Sequence, residues 1–257
     1  MKQYENIKLT FKEDLALLEL NRPEKRNAIN GQTMDELIDA MQQIQMHNSI
    51  RMVFLTSVGK DFSAGADLQW MRDTQDMNVD QIQQQNQKLH KIFSLWFDMP
   101  FFTCARIRGN VVGGALGLVS ASDFVVAHPE TKFRFSEVSL GLLPATIAPF
   151  VLQRTQSRFI RNAMLTAAPF HAYEALNAFL VDVVADDMLA EKIIDEYQNN
   201  IRKNEPNAMA KCKLLINDLV MGRIEQPIEE YTTRLLAEVR KSDAATGRIE
   251  KFFKKSL

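Results

Sequence analysis

Glu137 has the setting that most invites chemistry in this chain of 257 residues. It lies in Phe133-Arg134-Phe135-Ser136-Glu137-Val138-Ser139-Leu140-Gly141-Leu142-Leu143-Pro144, a carboxylate within an otherwise apolar stretch. Burial disfavours the ionised form and raises a carboxyl pKa toward values useful for proton transfer. The competing reading is a glutamate paired with Arg134 or solvated at a strand end. Two loops of small residues precede it. In Asp61-Phe62-Ser63-Ala64-Gly65-Ala66-Asp67-Leu68 small side chains let a ligand approach the backbone, whose N–H groups then become donors. Without a ligand, the same segment reads as a strand-to-helix turn with Asp67 near the helix start. Gly109-Asn110-Val111-Val112-Gly113-Gly114-Ala115-Leu116-Gly117 stands between a strand and a helix, where unpaired N–H groups and the dipole suit an anionic oxygen. Its alternative is close helix–strand packing through Gly113 and Gly114. The glycines are not in GxGxxG register, and GxxxxGK[ST] and GxSxG are missing, so nucleotide binding and serine hydrolysis find little support.

Those segments need elements to hold them. Ile7, Leu9 and Phe11 alternate with polar residues, Leu15 to Leu20 is a second strand, and Arg22-Pro23-Glu24-Lys25 is a turn. Thr33 and Glu36 have capping-box spacing ahead of a helix whose apolar face is Met34, Leu37, Ile38, Met41 and Ile44. Met52 to Thr56 is a buried strand, Ser57 to Gly65 a loop, Ile82 to Trp96 a helix and Phe101 to Ile107 a strand. Gly114 to Ala121 suits a short buried helix, and Phe124 to Ala127 and Phe133 to Phe135 are further strands. From Thr146 helical patterns dominate, interrupted by Leu180 to Val184 and by Pro206 and Pro227. The expected division is an α/β core over residues 1–195 and a helical region over 196–257. No sequence repeat is visible.

Composition is that of an ordinary globular protein, 46% hydrophobic and 25% charged, with a net charge of −1. Nothing in that balance points to nucleic acid. Cys104 and Cys212 form no CxxC pair, and His47, His90, His128 and His171 have no metal-ligand spacing. Apolar runs such as Val111 to Val119 are short of a membrane span, and the N-terminus lacks a signal-peptide core, so a cytoplasmic protein is expected.

In this order and spacing the three segments resemble the enoyl-CoA hydratase/isomerase (crotonase) family. The resemblance spans essentially the whole chain. It extends to Leu20-Asn21-Arg22-Pro23-Glu24-Lys25-Arg26-Asn27-Ala28, to Ser122-Asp123 and to Phe252-Phe253-Lys254-Lys255. Within the family, Phe62 to Met71 and Gly113 to Leu118 are most similar to bacterial methylglutaconyl-CoA hydratase-like members. The resemblance implies a crotonase-like spiral of β-β-α units with C-terminal helices that assemble trimers and hexamers. It implies backbone donors at Ala66 and Gly114 forming an oxyanion hole, with Glu137 as acid/base. It implies an acyl-CoA substrate contacted by Lys25, Ala28, Ala64, Asp67 and Leu68. Trp70, Met71, Leu142 and Ala145 would surround the acyl chain, with core packing as the alternative for the larger ones. Phe252 and Lys255 would reach the coenzyme A of a neighbouring subunit. No separate cofactor is implied, since coenzyme A is part of the substrate.

One departure matters. Hydratases of the family carry a first glutamate three residues after the second donor, where this chain has Gly117. The subgroup resemblance nonetheless favours a hydratase of a short or branched enoyl-CoA, with 3-methylglutaconyl-CoA as one example, while the lone carboxylate favours the rival. That rival is an isomerase, which needs only one base, and a non-catalytic acyl-CoA-binding protein is the alternative of another class.

Overall fold

In the computed structural model, which describes residues 2–155 and 157–255, the alternation of Ile7, Leu9 and Phe11 becomes β1 (Ile7–Lys12). It pairs antiparallel with β2 (Leu15–Leu20). From β2 onward the chain repeats one unit: a strand of a large sheet, a short strand or bridge of a small sheet, then helix. After β2 come the bridge residue Ile29 and α1 (Gly31–Gln45). The second unit is β3 (Met52–Ser57), the bridged residues Ser63 and Ala66, then α2 (Leu68–Asp73) and α3 (Val79–Phe97). The third is β4 (Phe102–Ile107), β5 (Asn110–Val112) and α4 (Ala115–Ser120). The fourth is β6 (Phe124–Ala127), β7 (Lys132–Arg134), α5 (Ala148–Arg154) and α6 (Arg158–Thr166). The short β8 (Phe170–His171), α7 (Ala172–Asn177) and β9 (Val183–Val184) close the series.

The large sheet runs β1-β2-β3-β4-β6-β9, parallel from β2 onward, and the small one runs β5-β7-β8. Parallel bridges Ile29–Ala66 and Ser63–Val111 carry the small sheet's pairing back through the earlier units. Each unit advances one strand, which is the spiral of β-β-α units. α8 (Asp187–Lys203), α9 (Pro206–Val220), α10 (Ile228–Arg240) and α11 (Asp243–Lys255) follow. The border at residues 195 and 196 falls within α8, whose Ala190 and Ile201 pack with Met52, Cys104 and Phe124 of the large sheet.

Two local expectations are corrected. The cap of α1 is Asn30, whose Oδ1 accepts from Thr33 N at 2.8 Å, so Thr33 lies inside the helix. Glu36 instead accepts the backbone N–H groups of Glu5 and Asn6, tying α1 to the strand entering β1. α3 starts three residues before Ile82, with a capping box between Asn78 and Gln81.

All of α4 is buried, and Gly117 at its centre faces crowding. A Cβ there would stand 2.6 Å from the Phe93 ring and 2.8 Å from Ile147 Cγ2. Both side chains are buried, and Phe93 is held edge-on by Phe150 with 5.8 Å between centroids. Overpacking of this kind costs about 1–3 kcal/mol, more than the roughly 1 kcal/mol of helix propensity gained over glycine. Gly117→Ala should therefore lower unfolding stability in urea titrations, and Gly117→Glu should lower it further. Unchanged midpoints would show that the core yields freely here.

Candidate active site

Asn27 is the joint that brings the turn after β2 to the Asp61–Leu68 loop. Buried and left-handed (φ 54°), a conformation asparagine tolerates, it accepts from Arg22 N and donates from Nδ2 to Val58 O and Asp61 O. Its carbonyl accepts the Ser63 hydroxyl at 2.7 Å, and Ser63 Oγ in turn accepts from Gly65 N. Asp61 Oδ1 accepts both the backbone and the side-chain N–H of Asn110, locking the Asp61–Leu68 loop to β5. A Cβ at Gly65 (φ 85°) would lie 2.7 Å from Val112 O, so only glycine lets the two segments run this close.

Asp67 then fixes where the loop that begins at Asp61 ends. Its Oδ1 accepts from Gln69 N and Trp70 N as the cap of α2, and its Oδ2 accepts from Arg22 Nη1 at 2.5 Å. Burial opposes ionisation of this carboxyl, but the Arg22 and backbone donors prevail and hold its pKa below the usual carboxylate range. Arg22 also donates to Ala28 O, so one guanidinium spans both segments. Ile29 N donates to Gly65 O, and Asp67 N donates to Ile29 O. Ala66 is flanked by these bonds, yet its own N–H has no acceptor among the described residues. Gly114 N is likewise unspent, ahead of α4, while Gly113 N is taken by Arg134 O.

Glu137 opens a 3-10 turn after β7. Its Oε2 is buried and has no hydrogen-bond partner among the described residues. Desolvation raises its pKa above the ordinary glutamate value, and the opposing hydrogen bond from its own N–H does not cancel that. Arg134 is not its partner: that guanidinium donates to Ala167 O and toward Ser139 Oγ.

Ala66, Gly114 and Glu137 line one cavity of about 200 Å³ with Trp70, Met71, Leu142 and Ala145. Trp70 packs partly against the core as well, whereas Leu142 is 42% exposed. A cleft of about 500 Å³ contains Lys25, Ala28, Ala64, Asp67 and Leu68, and Ala66 lines it too, so one residue borders both spaces. Arg26, Lys132 and Arg134 also line the cleft and make it cationic. Both oxygens of Asp67 are engaged, leaving it a positioning role. Phe252 lies exposed on α11 and lines neither space, and the side chain of Lys255 lies outside the described residues. A larger cavity of about 540 Å³ under α9 holds Lys213 bonded to Asp123 and Arg154 bonded to Asp182, so its charges neutralise each other. Among the described residues no group of three or more His, Cys, Asp or Glu side chains could hold a metal ion, and no helix is long and apolar enough to cross a membrane.

Sequence reasoning missed the roles of Asn27, Arg22, Asp61 and Asn110. Asp61 and Asn110 lie beside glycines, whereas Arg22 and Asn27 belong to a charged and polar turn in which nothing local singles them out.

The family model described as Enoyl-CoA hydratase/isomerase matches residues 10–255. The chain is 32% identical over 192 residues to the crotonyl-CoA hydratase of Syntrophomonas wolfei, covering 73% of each protein. The crystal structure of an enoyl-CoA hydratase from Shewanella pealeana superposes with a TM-score of 0.93 at 32% identity, over 98% of this chain and 95% of that one. Pseudomonas aeruginosa AtuE superposes with a TM-score of 0.91 at 29% identity, over 98% and 97%.

The Asp67 bonds yield a stability test. Asp67→Ala removes a helix cap and the short Arg22 contact, leaving the guanidinium only Ala28 O and the longer ion pair to Glu24 at 3.9 Å, at an expected loss of about 2–4 kcal/mol near neutral pH. The Asp67 pKa is depressed on folding, so its contribution is present above the unfolded value and vanishes as pH falls through the folded one. The gap between wild type and variant in urea melts should narrow from pH 5 toward pH 3. A gap independent of pH would remove the ion pair from this account.

Proposed function

The chain belongs to the enoyl-CoA hydratase/isomerase family of enzymes, and from that premise we propose that it adds water to a short or branched enoyl-CoA thioester. 3-Methylglutaconyl-CoA is the branched example suggested by resemblance. One observation carries the proposal: an unpartnered, desolvated carboxylate oxygen borders the same cavity as two unspent backbone N–H groups. In this reading the N–H groups of Ala66 and Gly114 hold the thioester oxygen. Such donors supply about 3–4 kcal/mol each once enolate charge develops. Glu137 takes a proton from water as the water oxygen bonds to C3, and the C2–C3 electron pair moves toward the held oxygen. The proton on Glu137 then passes to C2 and the carbonyl re-forms, so one water is added and the carboxylate is regenerated. The cationic cleft around Lys25 suits the phosphates of coenzyme A.

Gly117 favours a second reading. Phe93 and Ile147 fill the space where a second carboxylate would start, leaving one acid/base group. An isomerase needs no more: Glu137 would remove a proton from C2 of a 3-enoyl thioester and return it to C4. Solvent deuterium separates the two, since hydration labels C2 of a hydroxyacyl product and isomerisation moves a double bond without adding oxygen. We also propose a homotrimer or homohexamer, supported by exposed Ile216, Leu219, Leu236 and Phe253 on the C-terminal helices.

Glu137→Gln should lower turnover by about 10²–10⁴-fold with little change in acyl-CoA affinity. The folded pKa of Glu137 is raised, so the base form is lost below that value and the acid limb of kcat/KM should lie above the ordinary glutamate pKa. By the same sign, the ionised carboxylate burdens the fold once pH exceeds the unfolded value, and Glu137→Gln should be at least as stable as wild type at pH 7. Near-normal turnover in the variant would end the catalytic assignment. Lys25→Glu should weaken acyl-CoA binding in calorimetry, and unchanged affinity would remove the phosphate contact. Activity should survive exhaustive chelation, whereas loss restored by one metal would overturn metal-free catalysis.

A further inference from the structure

The helix α3 turns one stripe of side chains inward, with Leu89, Ile92, Phe93 and Trp96 packed in or against the core. Helical spacing carries that stripe back to positions 85 and 86, four and three residues before Leu89, where further apolar side chains belong. The chain has Gln85 and Asn86 there instead, and both line the acyl cavity beside Leu89. Gln85 is half-buried and Asn86 exposed, so their amides meet solvent, and an acyl group laid against them displaces that water from donors and acceptors that then need partners. Among the described residues neither amide side chain has one. Thr146 adds a third neutral polar group to the lining. Among the described residues the cavity has no Lys, Arg or His in its wall, and Glu137 is the one ionisable side chain lining it.

We infer that Gln85 and Asn86 select an enoyl thioester whose distal acyl carbons bear an uncharged hydrogen-bonding group, a hydroxyl or a carbonyl oxygen. The inference rests on the proposed acyl-CoA reading and narrows it. An alkyl terminus would displace water from the amides without replacing its hydrogen bonds, and polar sites disfavour analogues that lack the polar group in this way. A distal carboxylate, as in 3-methylglutaconyl-CoA, would enter beside Glu137 with no cation to meet it, and like charges in a partly desolvated site repel. The volume of about 200 Å³ keeps the acyl group short.

The test uses saturated acyl-CoA esters of equal chain length ending in methyl, hydroxymethyl or carboxylate, titrated calorimetrically into wild type and into the Gln85→Leu/Asn86→Leu double variant. The enoyl counterparts are assayed for kcat/KM. Wild type should bind the hydroxyl ester at least about tenfold more tightly than the methyl ester, with the carboxylate weakest. In the double variant the hydroxyl-to-methyl ratio should fall to about one or below. A wild-type preference for methyl or carboxylate, or a ratio unchanged in the variant, overturns the inference. If the affinity order holds but no enoyl ester is turned over, hydration fails and the selectivity stands. If no ester binds, the acyl-CoA reading fails and the inference fails with it.

Discussion

Folded backbones rarely leave N–H groups without partners, because an unpaired donor removed from water costs as much as a lost hydrogen bond. Two unspent N–H groups bordering one cavity, at Ala66 and Gly114, are therefore the constraint on which the rest of this structure depends. Ala66 stays open because its neighbours are saturated: Gly65 O and Asp67 N are both consumed by Ile29. Gly114 stays open because the glycine before it takes the sheet bond to Arg134 O and the helix begins at once. Asn27, Ser63, Asp61 and the Arg22–Asp67 pair keep those two segments in place. They act through hydrogen bonds within the protein, and a thioester oxygen is the kind of acceptor the remaining donors await.

The carboxylate side is as sparing. Glu137 pays for its burial with a raised pKa, and its buried oxygen has no partner among the described residues. The position of a second acid is taken by packing: Gly117 sits against Phe93 and Ile147 with no room for a Cβ. Loss of that carboxylate is thus built into the core and is not a vacant slot awaiting one substitution. On the proposed reading a single proton carrier serves whichever reaction runs, and the geometry of water relative to C3, or of C4 relative to Glu137, decides between hydration and isomerisation.

Much of this was legible in the chain before folding. The isolated Glu137, the small-residue loop ending at Asp67 and the glycines before α4 all declared themselves by type and spacing, and the family's spiral came with their resemblance. Of the small sheet only β7 was legible, as the strand at Phe133 to Phe135. β5 and β8 are three and two residues long, and the Ile29–Ala66 link is a single bridge, too short for any alternation to register. The cap of α1 was misplaced because Asn30 and Thr33 are both good caps, and Glu36 is spent on β1's approach, a partner thirty residues away. Phe93 and Ile147 as the reason for Gly117, and Gln85 and Asn86 as cavity walls, depend on contacts between distant units. No local pattern carries such information.

The central claim, that Ala66 and Gly114 polarise a thioester carbonyl, is tested most directly by isotope-edited infrared difference spectroscopy. A short enoyl-CoA labelled with ¹³C at the thioester carbonyl would be bound to the Glu137→Gln variant, where chemistry is slow. Two converging N–H donors lengthen the C=O bond, so the account predicts a band shifted clearly to lower frequency than in free solution. A bound ester whose carbonyl band matches the free one, or moves upward, would contradict it.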